Sequence, residues 1–94
     1  MPYISLERRT KIDKLIRNFF DITNDISEGD LNYIISRTIH EWISTHDDGL
    51  RYHVLNRAIG VLECAKLELY RKVAAPYEDN KRNEHGPVSY LDEK

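Results

Sequence analysis

Apolar positions recur at helical spacing through most of the chain, and no stretch of useful length alternates in the manner of a strand. Leu6, Ile12, Leu15, Ile16, Phe19 and Phe20 fall on one stripe, which predicts a first helix over residues 5–20. Arg8, Arg9, Lys11, Lys14 and Arg17 occupy the rest of its surface. Thr10, with Asp13 three residues on, is an alternative start. Residues 21–25 read as a connection. Ser27 then has the chemistry of an N-cap, Ile26 and Leu31 are spaced as a hydrophobic staple, and Glu28 and Asp30 complement the positive helix end. A second helix carries Leu31, Ile34, Ile35, Thr38, Ile39, Trp42 and Ile43 on a broad face. It is expected to end between residues 44 and 46, with Asp47, Asp48 and Gly49 supplying the turn.

The third helix, expected over residues 50–74, is apolar on several sides. Leu55, Ile59, Leu62, Leu69 and Val73 make one stripe, interrupted by Lys66. Val54, Ala58, Val61 and Ala65 make a second beside it, and Gly60 and Cys64 add a small surface for close helix approach. A surface helix needs one stripe only, so an element of this kind is expected to be mostly buried. Two further helices in a chain of 94 residues hardly cover it, which predicts a homo-oligomer with the third helix at its centre. A compact three-helix bundle with leftover exposed apolar area is the plainer alternative. Pro76 has no N–H and disfavours helical geometry at Ala75. Either it kinks one long helix, or it opens a new short one with Glu78 and Asp79 in its first turn. Gly86-Pro87 ends whatever is there, and residues 88–94 are expected to be extended or frayed. The expectation is therefore an all-α chain. It has three main helices, a proline break after the third, one domain over residues 1–94, an ordered core at about 5–86 and a tail at 87–94.

Length and charge narrow the function classes. A chain this short has a marginal core, and one cysteine, Cys64, permits no internal disulfide. The N-terminal residues do not resemble a secretory signal, and no apolar run approaches a membrane span, so a cytoplasmic protein with no membrane partner is expected. The formal net charge of −2 argues against a nucleic-acid polymer as partner. It is unevenly spread, with nets of +3 over residues 1–20, −6 over 21–50 and +3 over 51–75. Segments of opposite sign attract within a fold or across a symmetric interface, and solvated helix faces account for the same pattern.

No catalytic or metal signature is present, so neither an enzyme nor a cofactor is expected. His40-Glu41 begins like a zinc-protease helix, but position 44 is Ser. His46, Asp47, Asp48 and His53 match no standard ligand spacing. Cys64 has no visible base and reads as a small buried residue. Glu63 and Glu68 stand on different helix faces and read as surface partners of Lys66 and Lys72. More informative is a polar-aromatic set: Tyr52, Asn56 and Arg57 near the start of helix three, and Arg71, Tyr77 and Lys81 around the proline. Tyrosine supplies a stacking face, arginine a fork for phosphate, and asparagine a two-sided amide. These are the groups of a small nucleotide pocket, and equally the anchors of an oligomer interface.

The run Ile59-Gly60-Val61-Leu62-Glu63-Cys64, then Lys66-Leu67-Glu68, Tyr70-Arg71 and Pro76-Tyr77-Glu78-Asp79, resembles a family of small, functionally uncharacterised proteins. Its members are found in tailed phages and in bacteria, often as prophage genes. Pro2-Tyr3-Ile4, Leu31-Asn32-Tyr33-Ile34-Ile35 and Asn56 fit the same pattern, whereas Trp42 and the tail after Gly86 depart from it. The resemblance implies an accessory protein of phage or prophage type in bacterial cytoplasm. Small helical oligomers of that origin include counter-defence proteins, some of which sequester cyclic nucleotide signals. The expected function is thus a non-enzymatic homo-oligomer that sequesters a small anionic nucleotide at a subunit interface. The alternative is an adaptor or inhibitor that binds a bacterial host protein.

Overall fold

The computed structural model describes residues 3–46 and 49–93; Pro2, the expected turn residues Asp47 and Asp48, and Lys94 of the expected tail lie outside them. The described chain is all-α and contains no strand. It comprises α1 (Leu6–Ile22), α2 (Glu28–Ser44), α3 (Tyr52–Leu69), a π-helical turn (Tyr70–Ala74), α4 (Ala75–His85) and a short 3-10 turn (Tyr90–Asp92). None of these helices is long and apolar enough to cross a membrane.

The helix starts follow from local chemistry. Ser5 stands outside α1 as its cap, with its hydroxyl accepting from the Arg8 N–H at 3.3 Å. Thr10 is not a start: it lies inside the helix and donates to the Leu6 carbonyl. α1 runs two residues beyond the expected end, taking in Asp21 and Ile22, and the Thr23 N–H closes it on the Phe19 carbonyl. Ser27 caps α2 as its position predicts. Ser27 Oγ accepts from the Asp30 N–H and Asp30 Oδ2 accepts from the Ser27 N–H, each at 3.1 Å. Asp25, just before it, has φ of 55°, a left-handed conformation that aspartate tolerates better than most residues. Gly49, at φ of 57°, turns the chain towards α3.

Pro76 does not interrupt the helix. Ala74 and Ala75 on either side of the junction both have right-handed helical dihedrals. The chain widens by one residue ahead of the proline, so that the Ala75 N–H donates to the Tyr70 carbonyl, five residues back. In a regular α-turn the Pro76 ring would collide with the Lys72 carbonyl, and that carbonyl would lose its donor. The wide turn removes the collision. Pro76 then sits in the first turn of α4, where a missing N–H costs least. The expected break is therefore realised as a π-turn leading into a fourth helix.

Two compact units divide the chain, Met1–Gly60 and Val61–Lys94. In the first, α1 and α2 together line an apolar groove of about 260 Å³ with Leu15, Ile16, Phe19, Phe20, Ile34 and Thr38. Among its described residues, Val54 and Ala58 are buried, 1% and 3% exposed, both on the first half of α3. In the second unit no described residue is buried. Within the single chain the rest of the third helix is left uncovered, as two further helices are expected to leave it: Ile59, Val61, Leu69 and Val73 are each more than half exposed. Too few neighbouring side chains are present to cover them. Cys64, read as a buried small residue, is exposed for the same reason.

Beyond α4 the expected frayed tail is instead folded. Gly86 ends the helix at φ of 85° and ψ of 167°, with its N–H on the Arg82 carbonyl at 2.7 Å. Ser89 then caps the 3-10 turn, and Asp92 accepts from both the Ser89 and Val88 N–H groups at 3.0 and 3.2 Å.

Candidate functional site

The six residues of the polar-aromatic set are all exposed and fall in both units. Tyr52, Asn56 and Arg57 belong to the first, on the opening turns of α3. Arg71 on the π-turn, and Tyr77 and Lys81 on α4, belong to the second. Tyr77 and Lys81 come together. One helical turn apart, they place the ammonium 5.6 Å from the ring centroid, a cation-π geometry. Lys81 also reaches Glu84 Oε2 at 3.5 Å.

Lys81 continues into a recess of about 490 Å³ between α4 and the C-terminal turn, lined by Glu78, Asp79, Arg82, His85 and Asp92 among others. Two spacings build it. Glu78, Lys81, Arg82 and His85 repeat along one side of α4, and Asp92 is returned to that side by the Ser89 cap. Arg82 Nε lies 3.6 Å from Asp92 Oδ2. The Asp92 carboxyl is held below the usual carboxylate range, first by the N–H groups of Ser89 and Val88, with a further contribution from Arg82. The recess therefore mixes both signs of charge, with Asp92 engaged by the turn and Arg82, and Lys81 shared between the Tyr77 ring and Glu84. The reading of the sequence missed Arg82, His85 and Asp92. The signal was present in Ser89-x-x-Asp92, a capping box placed just after a Gly-Pro pair.

The other candidates are placed as follows. Glu41 is engaged by Arg37, Nη1 to Oε1 at 2.7 Å, and its hydrogen bond and charge hold the Arg37 guanidinium above its ordinary value. His46 lies against Trp42, with ring centroids 4.1 Å apart and Nδ1 2.9 Å from the Trp42 carbonyl. Glu63 pairs with Lys66 at 3.2 Å, the surface i,i+3 pair expected from the spacing. Among the described residues, no group of three or more His, Cys, Asp or Glu side chains is arranged to hold a metal ion.

No curated protein and no solved structure matches this chain. Residues 1–88 match the domain of unknown function DUF6899, and the chain belongs to that family.

Proposed function

We propose that this family member is a non-enzymatic accessory binding protein of phage or prophage type, acting in bacterial cytoplasm as a homo-oligomer. Its ligand is a small anionic nucleotide, held at a subunit interface and sequestered there as a counter-defence measure. The observation that carries this reading is the Tyr77–Lys81 pair. An 80% exposed Tyr52 and a 62% exposed Tyr77 leave large amphipathic rings in water. Lys81 stands over the second of these rings, where a base and a phosphate find a stacking face and a charge side by side. Arg71 adds a phosphate fork in the same unit, and Tyr52, Asn56 and Arg57 offer the same chemistry from the other. Calorimetry across a panel of cyclic and linear nucleotides tests this. We expect at least one to bind, and Tyr77→Ala or Lys81→Ala to weaken it about tenfold or more, since stacking and desolvated cation-π contacts contribute roughly 1–3 kcal/mol each. Silence across the whole panel overturns the ligand.

A second reading, an adaptor or inhibitor of a bacterial host protein, is favoured by a different observation. The segment 21–50 carries a net of −6, and α2 presents Leu31, Tyr33 and Ile35 to solvent beside those acidic groups. Affinity capture from bacterial lysate that recovers no stoichiometric basic partner counts against it.

A further inference from the structure

The C-terminal turn is tied back to α4 by a single charge contact. Among the described residues the only ion pair between them joins Asp92 to Arg82, Oδ2 to Nε at 3.6 Å. That distance is beyond a hydrogen bond and both side chains are partly open to water, so the tie is weak. Apolar packing adds little, since Val88, Tyr90 and Leu91 are 95%, 78% and 79% exposed. The turn is shaped from within instead, by the Ser89–Asp92 capping box and the bond from the Val88 N–H. A preformed turn on one weak tie can lift from α4 without unfolding. The tie also sets the sign of the recess. Glu78, Asp79 and Asp92 line it against Lys81 and Arg82, so acid outnumbers base while His85 is neutral. Without Asp92 the two signs balance, and the guanidinium is left with no acidic partner among the described residues.

We propose that the C-terminal turn is an autoinhibitory latch: the Asp92 carboxylate stands on Arg82 where a phosphate group would bind, and the recess lined by Lys81, Arg82 and His85 takes a phosphate-bearing ligand when the turn lifts. The geometry favours that exchange. Asp92 meets the guanidinium at Nε through one oxygen, whereas a phosphate has oxygens enough to engage the guanidinium fork as a whole. Lys81 is the neighbouring residue, and its contacts to Glu84 and the Tyr77 ring are both exposed ones that it can leave. His85 lines the same recess and supplies a further donor. Exchange thus replaces one weak contact by several charge-assisted bonds. Tyr77, one helical turn before Lys81, puts a stacking ring beside the recess for a base. The inference rests on the nucleotide reading proposed above, and its phosphate half can be tested by itself.

Inorganic pyrophosphate is the probe, titrated by calorimetry into the full chain and its variants. Asp92→Asn keeps the shape of the side chain and one acceptor for the turn. We expect it to bind pyrophosphate about fivefold more tightly than the unmodified chain does, the scale of one partly exposed charge contact. Ser89→Ala loosens the turn without changing any charge, and should move the affinity in the same direction. Glu93→Gln removes the same charge beside the latch but outside the recess lining, and should stay within about twofold of the unmodified chain. Adding Arg82→Gln to Asp92→Asn should abolish the gain. Equal binding by Asp92→Asn and the unmodified chain overturns the latch. So does a gain that Glu93→Gln reproduces or that survives the loss of Arg82, and so does silence from every variant. The two readings fail separately. Pyrophosphate binding that depends on Asp92 and Arg82, with no nucleotide bound, sinks the nucleotide alone. A nucleotide bound equally by the unmodified chain and Asp92→Asn sinks the latch alone.

Discussion

Ser27, Gly86 and Asp92 show how single residues fix this chain's local geometry. Ser27→Ala removes one half of a reciprocal cap and should cost about 1 kcal/mol in a urea titration. Gly86 occupies a region of φ and ψ that only glycine enters readily, with open space around it. Gly86→Ala should therefore destabilise the end of α4 by about 1–3 kcal/mol through backbone strain alone, with no clash to relieve. Asp92 has its folded pKa lowered from 3.8, so its contribution to the tail turn is present above that value and fades as pH falls through the lower, folded one. In an NMR titration the Val88 and Ser89 amide shifts should move together with a midpoint below 3.8; a midpoint at or above it refutes the assignment. Contacts between near neighbours were legible in the sequence, because Ser27 to Asp30 and Glu63 to Lys66 depend on spacing alone. The Asp92 turn obeys the same rule, but an expectation of fraying after Gly86-Pro87 concealed it.

At the scale of elements, periodicity located three helices and their apolar faces, since a 3.6-residue repeat survives without tertiary information. What periodicity does not encode is how a helix absorbs a proline. Kink, fresh start and π-turn all relieve the same collision, and the choice rests on one carbonyl, that of Lys72, rather than on any repeating pattern. Pro76→Ala returns the missing N–H and removes the reason for the wide turn. The segment should relax to α geometry and gain stability by well under the roughly 3 kcal/mol that proline costs in a regular helix interior, measured by urea denaturation together with carbon chemical shifts over residues 70–76.

For the whole molecule, the sequence announced an excess of apolar helix surface, and the structure shows where it lies uncovered. Its occupant was not legible, because a stripe such as Val61–Leu69 reads the same whether a second copy, another protein or nothing covers it. The candidate site was legible only as residue chemistry. Tyr77 and Lys81 were brought together because they share a helix, whereas Tyr52, Asn56 and Arg57 belong to the other unit. If the chain is completed by its own copies, its thermal midpoint should rise with protein concentration, a dependence that a self-sufficient monomer lacks. The π-turn also sets a phase along the helix. An uninterrupted α-helix would carry Tyr77 about 100° around the axis from the line of Val61, Ala65 and Leu69. The one surplus residue between Tyr70 and Ala74 turns it back by about the same angle, which brings Tyr77 towards that line. The wide turn is thus a rotary offset between the exposed apolar line of α3 and the residues proposed to bind. Pro76→Ala, by relaxing it, should swing Tyr77 and Lys81 by about 100° around the helix axis relative to Val61, Ala65 and Leu69.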